Sequence, residues 1–159
     1  MKIETPHLKA SRLTLIRGLP GSGKSTFAKS MNGVHAEADQ YFYTGGSYVF
    51  DPSKLAVAHS QCLAKAVDAL KSDESVVVAN TFTTFKEMAP YLEAARQYGA
   101  NVVVLNMKTQ YEGVHNVPLA TVDRMKARWY DFPVSNQPSS VFVYNIYTDS
   151  VEQLGYYHE

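Results

Sequence analysis

Short runs of consecutive apolar residues alternate along this chain with longer stretches in which apolar residues recur every three or four positions, and that alternation predicts the elements. Residues 13–17, Leu-Thr-Leu-Ile-Arg, form a β-forming run that passes directly into Gly18-Leu19-Pro20-Gly21-Ser22-Gly23-Lys24-Ser25 and then Thr26 to Met31: strand, glycine loop, helix. Asn32-Gly33 is a helix stop, and Val34 to Ala38 predicts a second strand ending at Asp39. Asp51-Pro52-Ser53 opens a long helix to about Lys71, on which Leu55, His59, Cys62, Leu63, Ala66, Val67 and Leu70 share one face. Val76-Val77-Val78-Ala79 and Val102-Val103-Val104-Leu105 are unbroken apolar runs, as expected of strands buried on both faces of a parallel sheet. The helix between them turns Phe85, Met88, Leu92 and Ala95 inward and stops near Gly99. Val141 to Tyr144, after the Pro138-Ser139-Ser140 break, is a fifth strand. Strands alternating with helices predict a doubly wound α/β sheet.

Between the fourth and fifth strands lie a polar, glycine-containing stretch, Lys108 to Asn116, and a helix beginning near Pro118. Leu119, Val122, Met125 and Trp129 make that helix's predicted buried stripe, with Arg124 and Arg128 four apart on another face. Residues 147–159, with Tyr156-Tyr157, carry no pattern that places them. The 159 residues fit one domain, 1–159. Fifteen basic residues balance fifteen acidic ones, which excludes a wholesale polyanion coat and leaves room for a local basic patch. The single cysteine, Cys62, has no Cys partner for a disulfide or zinc site and reads as a small buried apolar residue in a reducing compartment. The first dozen residues lack the apolar core of a signal peptide, and no run is long enough to span a bilayer, so a cytoplasmic location is expected.

Gly18 to Ser25 satisfies the pattern G-x-x-x-x-G-K-[ST]. In that pattern Gly18, Pro20, Gly21, Ser22, Gly23 and Thr26 belong to the phosphate cradle, Lys24 reaches the β and γ phosphates, and Ser25 is the expected Mg²⁺ ligand. The background chance of such a match in this length is on the order of 1%, and its position between a predicted strand and helix lowers it further. ATP is expected rather than GTP, because no Asn-Lys-x-Asp segment follows a later strand. Neither valine-rich strand ends in the acidic pair of a motor ATPase. Asp39, at the carboxyl end of a strand neighbouring the loop, sits where a general base for an acceptor hydroxyl would stand.

Beyond the loop, the chain carries Ala38-Asp39-Gln40-Tyr41-Phe42, Gly46-Ser47-Tyr48-Val49-Phe50, Ala58-His59 and Asn80-Thr81-Phe82-Thr83, then His115-Asn116-Val117-Pro118 with Met125 and Arg128. Through these residues 12–130 resemble the polynucleotide-kinase-like P-loop family, which includes phage polynucleotide kinase domains, NEDD4-binding protein 2-like proteins and phage 5-hydroxymethyluracil DNA kinases. The resemblance implies an ATP:hydroxyl phosphotransferase that uses Mg²⁺. It also implies a P-loop three-layer sandwich with a five-stranded parallel sheet and a lid, about 108–118, between the last two strands. Asp39 matches the family's general base.

Two departures shape the expected site. Asn80-Thr81-Phe82 stands where the phage end-healing kinase has Asp-Thr-Asn, so Asn80 and Thr81 are expected to orient water or acceptor without an acidic metal role. Phe42 stands where that kinase has an arginine for substrate phosphate. Tyr41, Phe42 and Tyr43, with Tyr48 and Phe50 across Gly45-Gly46, instead offer rings beside the base, each able to stack on a nucleobase for about 1 to 3 kcal/mol, or else to pack into the core. Tyr111-Glu112-Gly113 replaces the arginines that some members carry before His-x-Val-Pro. The transition-state cation is therefore expected from Arg128, then Arg124 or Lys108, and His115 is expected as a lid hydrogen-bond donor.

The expected reaction is transfer of the γ-phosphate of ATP to a hydroxyl on a nucleic acid or nucleotide, leaning to the hydroxymethyl group of 5-hydroxymethyluracil in DNA. A duplex base would have to be flipped into a pocket beside Asp39. A polynucleotide 5′-hydroxyl kinase, a small-molecule kinase and an ATP-gated binding module without catalysis are the alternatives. Asp39 disfavours the last, since a switch needs no acceptor base. Expected partners are ATP and a DNA or nucleotide acceptor, with no membrane; the small size is compatible with a phage enzyme acting in a host cytoplasm.

Overall fold

The computed structural model describes residue 7, residues 11–110 and residues 117–159. In chain order its elements are β1 (Leu13–Arg17), α1 (Lys24–Lys29), β2 (Val34–Ala36), β3 (Tyr43–Thr44), β4 (Ser47–Tyr48), α2 (Leu55–Lys71), β5 (Val76–Asn80), α3 (Phe85–Gln97), β6 (Val102–Met107), α4 (Leu119–Ala127), β7 (Val141–Ile146) and β8 (Val151–Tyr157). The main sheet has the order β2-β5-β1-β6-β7-β8, parallel from β2 to β7 and antiparallel at β8. β3 and β4 form a separate two-stranded hairpin across Gly45-Gly46.

Every residue of β1, β5 and β7 is buried, which is why those segments read as apolar runs rather than as alternating strands. One face of the sheet, through Leu13, Leu15, Val76, Val78, Val102 and Val104, packs against Ala58, Cys62 and Ala66 of α2 and Met88, Leu92 and Ala95 of α3. The other face, through Ile16, Val77, Ala79, Val103 and Leu105, packs against Ala28 of α1. The connection from β1 leaves to the β2 side while β6 lies on the opposite side, so the crevice beyond the carboxyl end of β1 is the sheet's switch point.

Four expectations change in detail. β2 ends at Ala36, and Asp39 lies in a 3₁₀ turn, Ala38–Phe42, not at the strand end itself. The buried face of α2 runs through Ala58, Cys62, Ala66, Ala69 and Leu70, leaving Leu55 and His59 exposed, because small side chains let the helix approach a sheet already studded with valines. On α4, Val122 is buried, Met125 and Trp129 are half-buried, and Leu119, in the first turn, is 73% exposed. The unplaced tail is a sixth, antiparallel edge strand, in which Gly155 adopts φ 139°; a Cβ there would lie 2.7 Å from the Ser135 carbonyl oxygen, too close for any other residue. No described helix is long and apolar enough to cross a membrane.

Leu15→Ala, in the centre of β1, should lower unfolding free energy by about 2–5 kcal/mol, whereas Leu119→Ala should change it by no more than about 0.5 kcal/mol. Urea unfolding of the two variants checks the contrast; an equal loss at both positions would place α4 differently.

Candidate active site

The loop after β1 is shaped to hold an anion. Gly21 and Gly23 take φ values of 84° and 87°, which only glycine adopts without strain, and the Ser22 amide donates to the Leu19 carbonyl at 3.1 Å. Gly23 caps α1 with no side-chain acceptor, and the first amides of a helix have no intrahelical partner. Ser22 Oγ is buried and finds no partner among the described residues, and a side chain at Gly18 would collide with it. An orphaned hydroxyl inside a loop kept open by glycine fits a ligand rich in acceptor oxygens, as a polyphosphate is. The Gly18 amide donates to the Thr81 carbonyl at 3.3 Å, fastening the cradle to the turn after β5.

Lys24 is half-buried, and its ammonium donates back to the Leu19 carbonyl at 3.1 Å. Burial pulls its pKa down to about 8, while the negative charges of Glu37 and Asp39 pull the other way. Both carboxylates thus lie within electrostatic reach of the cradle. Ser25, expected to ligate Mg²⁺, donates to Glu37 Oε1 at 2.5 Å.

The turn bearing Asp39 is held from below. Asn80 Oδ1 accepts from the Ala38 amide at 3.0 Å, and Asn80 Nδ2 donates to Cys62 Sγ at 3.5 Å. Asn80 is buried and engaged at both ends, so it positions the Asp39 turn instead of presenting its amide to an acceptor. Burial raises the Cys62 thiol above its ordinary pKa, against the hydrogen bonds of Tyr91 and Asn80, which pull it down. Asp39 itself is exposed, and Asp39 Oδ1 accepts from the Tyr48 hydroxyl at 3.1 Å. Partial burial and the Asp39 charge push the Tyr48 pKa up to about 12, so the phenol remains a donor.

Phe42 does not stack on a base: it is 3% exposed and sits in the main core cluster. Its ring meets Phe50 at 5.0 Å, Tyr41 at 5.4 Å and Tyr48 at 6.2 Å between centroids, all edge-on. Tyr41 is half-buried against the same cluster. The available rings are Tyr43, 63% exposed and cross-strand paired with Tyr48 at 5.1 Å, together with Phe50. The Gly45-Gly46 turn with tyrosines at matching distance on either side was the signal for this hairpin.

Of the candidate cations, Arg128 Nε donates to Thr83 Oγ1 at 2.9 Å in the turn beyond Thr81. Lys108 Nζ stands 5.6 Å above the Trp129 ring. Arg124 is exposed and bonded to Thr121, one turn back on its own helix. His115, with the rest of 111–116 and so most of the expected lid, lies outside the described residues. Gln110 Nε2 donates to the Pro20 carbonyl of the cradle at 2.6 Å.

Sequence reasoning missed two residues here. Glu37 was overshadowed by Asp39 two positions on. Arg17, last in an apolar run, is wholly buried beneath Trp129, its guanidinium carbon 3.9 Å from the ring centroid, and desolvation lowers its pKa to about 10.

Comparison with known proteins places the chain among related domains. The pattern of an AAA-domain family matches residues 13–115. The chain is 30% identical over 135 residues to human NEDD4-binding protein 2, covering 76% of this chain and 8% of that protein. It is 27% identical over 109 residues to the bifunctional polynucleotide phosphatase/kinase of Schizosaccharomyces pombe, covering 67% of this chain and 24% of that one. The chain thus spans only a small part of these relatives. Among solved structures, one of the Pnkp1/Rnl/Hen1 RNA repair complex matches with a TM-score of 0.58 at 18% identity, over 73% of this chain and 43% of that one. A sugar kinase from a Janibacter species matches at 0.57 and 15%, over 85% of both chains. At these identities the structures establish the fold alone.

The lowered Lys24 pKa has a sign that can be measured. As pH rises through about 8 the free protein progressively loses the Lys24 proton, so binding a polyphosphate takes one up, and ATP affinity should fall by up to about tenfold per pH unit. Calorimetric titration in buffers of different ionisation enthalpy should show proton uptake at pH 8.5 to 9, roughly the window the lysine shift defines. Lys24→Met should remove both the uptake and the slope.

Proposed function

We propose, because this chain belongs to the polynucleotide-kinase-like family of P-loop domains, that it transfers the γ-phosphate of ATP to a hydroxyl on a nucleic acid or nucleotide. The observation that carries this is the meeting of an acceptor-side carboxylate with the cradle: Asp39 is exposed, oriented by Tyr48, and close enough to Lys24 to influence its charge. Asp39 accepts the proton of the attacking hydroxyl, and Lys24 offsets charge growing on the transferred phosphoryl group. Gly18, Pro20, Gly21, Ser22, Gly23 and Thr26 line the polyphosphate cradle, and Arg128 is the foremost candidate for a further cation near the transferred group. Ser25 would hold Mg²⁺, which would supply charge neutralisation to the phosphates.

Within that reaction we favour the hydroxymethyl group of 5-hydroxymethyluracil in DNA as acceptor. The exposed pair Tyr43 and Tyr48 beside Asp39 supports it, since a base presented with its hydroxymethyl group at Asp39 has flat aromatic surface to lie against. The second reading, a polynucleotide 5′-hydroxyl acceptor, is favoured by the similarity to the S. pombe phosphatase/kinase.

Labelled ATP offered with DNA that contains internal hydroxymethylpyrimidines and already carries 5′-phosphates should give labelled bases. Labelling of plain 5′-hydroxyl ends alone would select the second reading. Asp39→Asn should keep ATP binding while slowing transfer by about 10² or more; an equal loss of ATP affinity would make Asp39 a fold residue.

The rings separate by the parameter they move. Tyr43→Ala should raise the acceptor KM by the equivalent of about 1–3 kcal/mol with the ATP KM nearly fixed. Phe42→Ala, by contrast, should act on stability, at about 3–5 kcal/mol. Steady-state kinetics paired with urea unfolding distinguishes the two roles.

A further inference from the structure

We infer that Glu37 is the carboxylate of a divalent-cation site centred on Ser25 Oγ, with His35 holding the carboxylate in place; the inference rests on the reading that the cradle binds a nucleotide with its metal. No acidic group stands at the end of β5, where Asn80 is committed to Ala38 and Cys62. A hard cation such as Mg²⁺ is ordinarily held by one or two carboxylates together with phosphate oxygens and water. The structure returns such a carboxylate to the cradle from the other side, from the end of β2.

Three features single out Glu37. Its Oε1 accepts from Ser25 Oγ at 2.5 Å, and a serine hydroxyl that donates its one proton keeps lone pairs for a metal ion. Its Oε2 lies 2.7 Å from His35 Nε2, close but not aligned as a hydrogen bond, and the side chain is only 13% exposed, so the carboxylate has little room to swing away from Ser25. Finally, Glu37 occupies the cap position of the Ala38–Phe42 turn yet its side chain makes no capping bond, so the local fold does not account for where it points. Asp39 is a poorer candidate, since its carboxylate bonds the Tyr48 hydroxyl on the acceptor side and not Ser25 Oγ. No group of three or more His, Cys, Asp or Glu is gathered to hold a metal among the described residues, which fits a cation that depends on nucleotide phosphates for the rest of its ligands.

The test uses the whole chain, a non-hydrolysable ATP analogue and no acceptor, so that it reads binding and not transfer. Mn²⁺ binding to the analogue complex is followed by electron paramagnetic resonance, and analogue binding in chelator by calorimetry. Glu37→Gln should weaken Mn²⁺ binding by roughly 10- to 100-fold and leave metal-free analogue affinity equal or tighter, since a negative charge near Lys24 has gone. His35→Asn should weaken Mn²⁺ binding less. Unchanged Mn²⁺ affinity in Glu37→Gln, or a parallel loss of metal-free affinity, overturns the assignment. Should Glu37→Gln fail to fold, Glu37→Asp is read the same way: weaker Mn²⁺ binding supports the site, and wild-type affinity overturns it. Wild-type protein that binds Mn²⁺ and analogue through Glu37 but phosphorylates no acceptor leaves the cation site standing and removes the kinase reading.

Discussion

A guanidinium with no access to solvent sits at the carboxyl end of the central strand, and the architecture of the cradle follows from how it is accommodated. Arg17 is 0% exposed, and a charge so placed is tolerated only when its surroundings replace what water would give. Its Nε donates to the Phe82 carbonyl at 3.0 Å and one terminal nitrogen to Asn106 Oδ1 at 3.1 Å; the other terminal nitrogen has no hydrogen-bond partner among the described residues, and the face of the group lies on Trp129. Asn106 in turn bonds Asn145 at 3.1 Å, and Asn145 bonds Glu152 at 2.8 Å. Strand register puts Arg17 beside Asn80 and Asn106, Asn106 beside Asn145, and Asn145 beside Glu152, so polar residues cross the sheet where the valine runs stop. The polar site begins at this row, with Phe82 and Ile146 carrying the buried apolar packing past it.

The same arginine fixes the turn after β5. Phe82 carries φ 45°, an unfavourable value for a bulky residue, and its carbonyl is held by Arg17. Around that point Thr81 fastens the cradle through the Gly18 amide, Asn80 supports the Asp39 turn, and Thr83 takes both the Tyr130 amide at 2.8 Å and Arg128. Cradle, proposed base and the segment leaving α4 therefore share one short stretch of chain. A disturbance at Arg17 would reach all three without touching nucleotide or acceptor.

How much of this could be read beforehand depends on whether the signal was local. The strands were legible because burial on both faces writes itself as consecutive Val and Leu, and the cradle because its chemistry needs glycines and a lysine at set intervals. The face of α2 was legible in part: Cys62, Ala66 and Leu70 are buried as expected, but periodicity marks large residues, and the sheet selected Ala58 and Ala69 while Leu55 and His59 stayed outside. β8 escaped because an edge strand half open to solvent, interrupted by a glycine that Ser135 requires, has no clean alternation. Arg17 and Glu37 were invisible for a different reason: each acts through partners 65 and 12 positions away. Phe42 was misjudged since an aromatic beside a base reads alike whether its ring faces a ligand or the core.

Burial of Phe42 alters how the acceptor side works. A ring locked among Phe50, Tyr41 and Tyr48 anchors the β3–β4 hairpin to the body, and that anchoring lets the short hairpin, too small to be stable alone, present Tyr43 and Tyr48 outward. Tyr48 then serves two sides of the site, its ring paired with Tyr43 and its hydroxyl on Asp39. On the proposed assignment of Asp39 as base, an acceptor hydroxyl approaching it would compete with that phenol, and with water, for the carboxylate. A group that gains contact elsewhere, by lying against the tyrosine faces, would bring additional binding to displace it. That competition would favour acceptors with a flat ring next to the hydroxyl, as the proposed base substrate has.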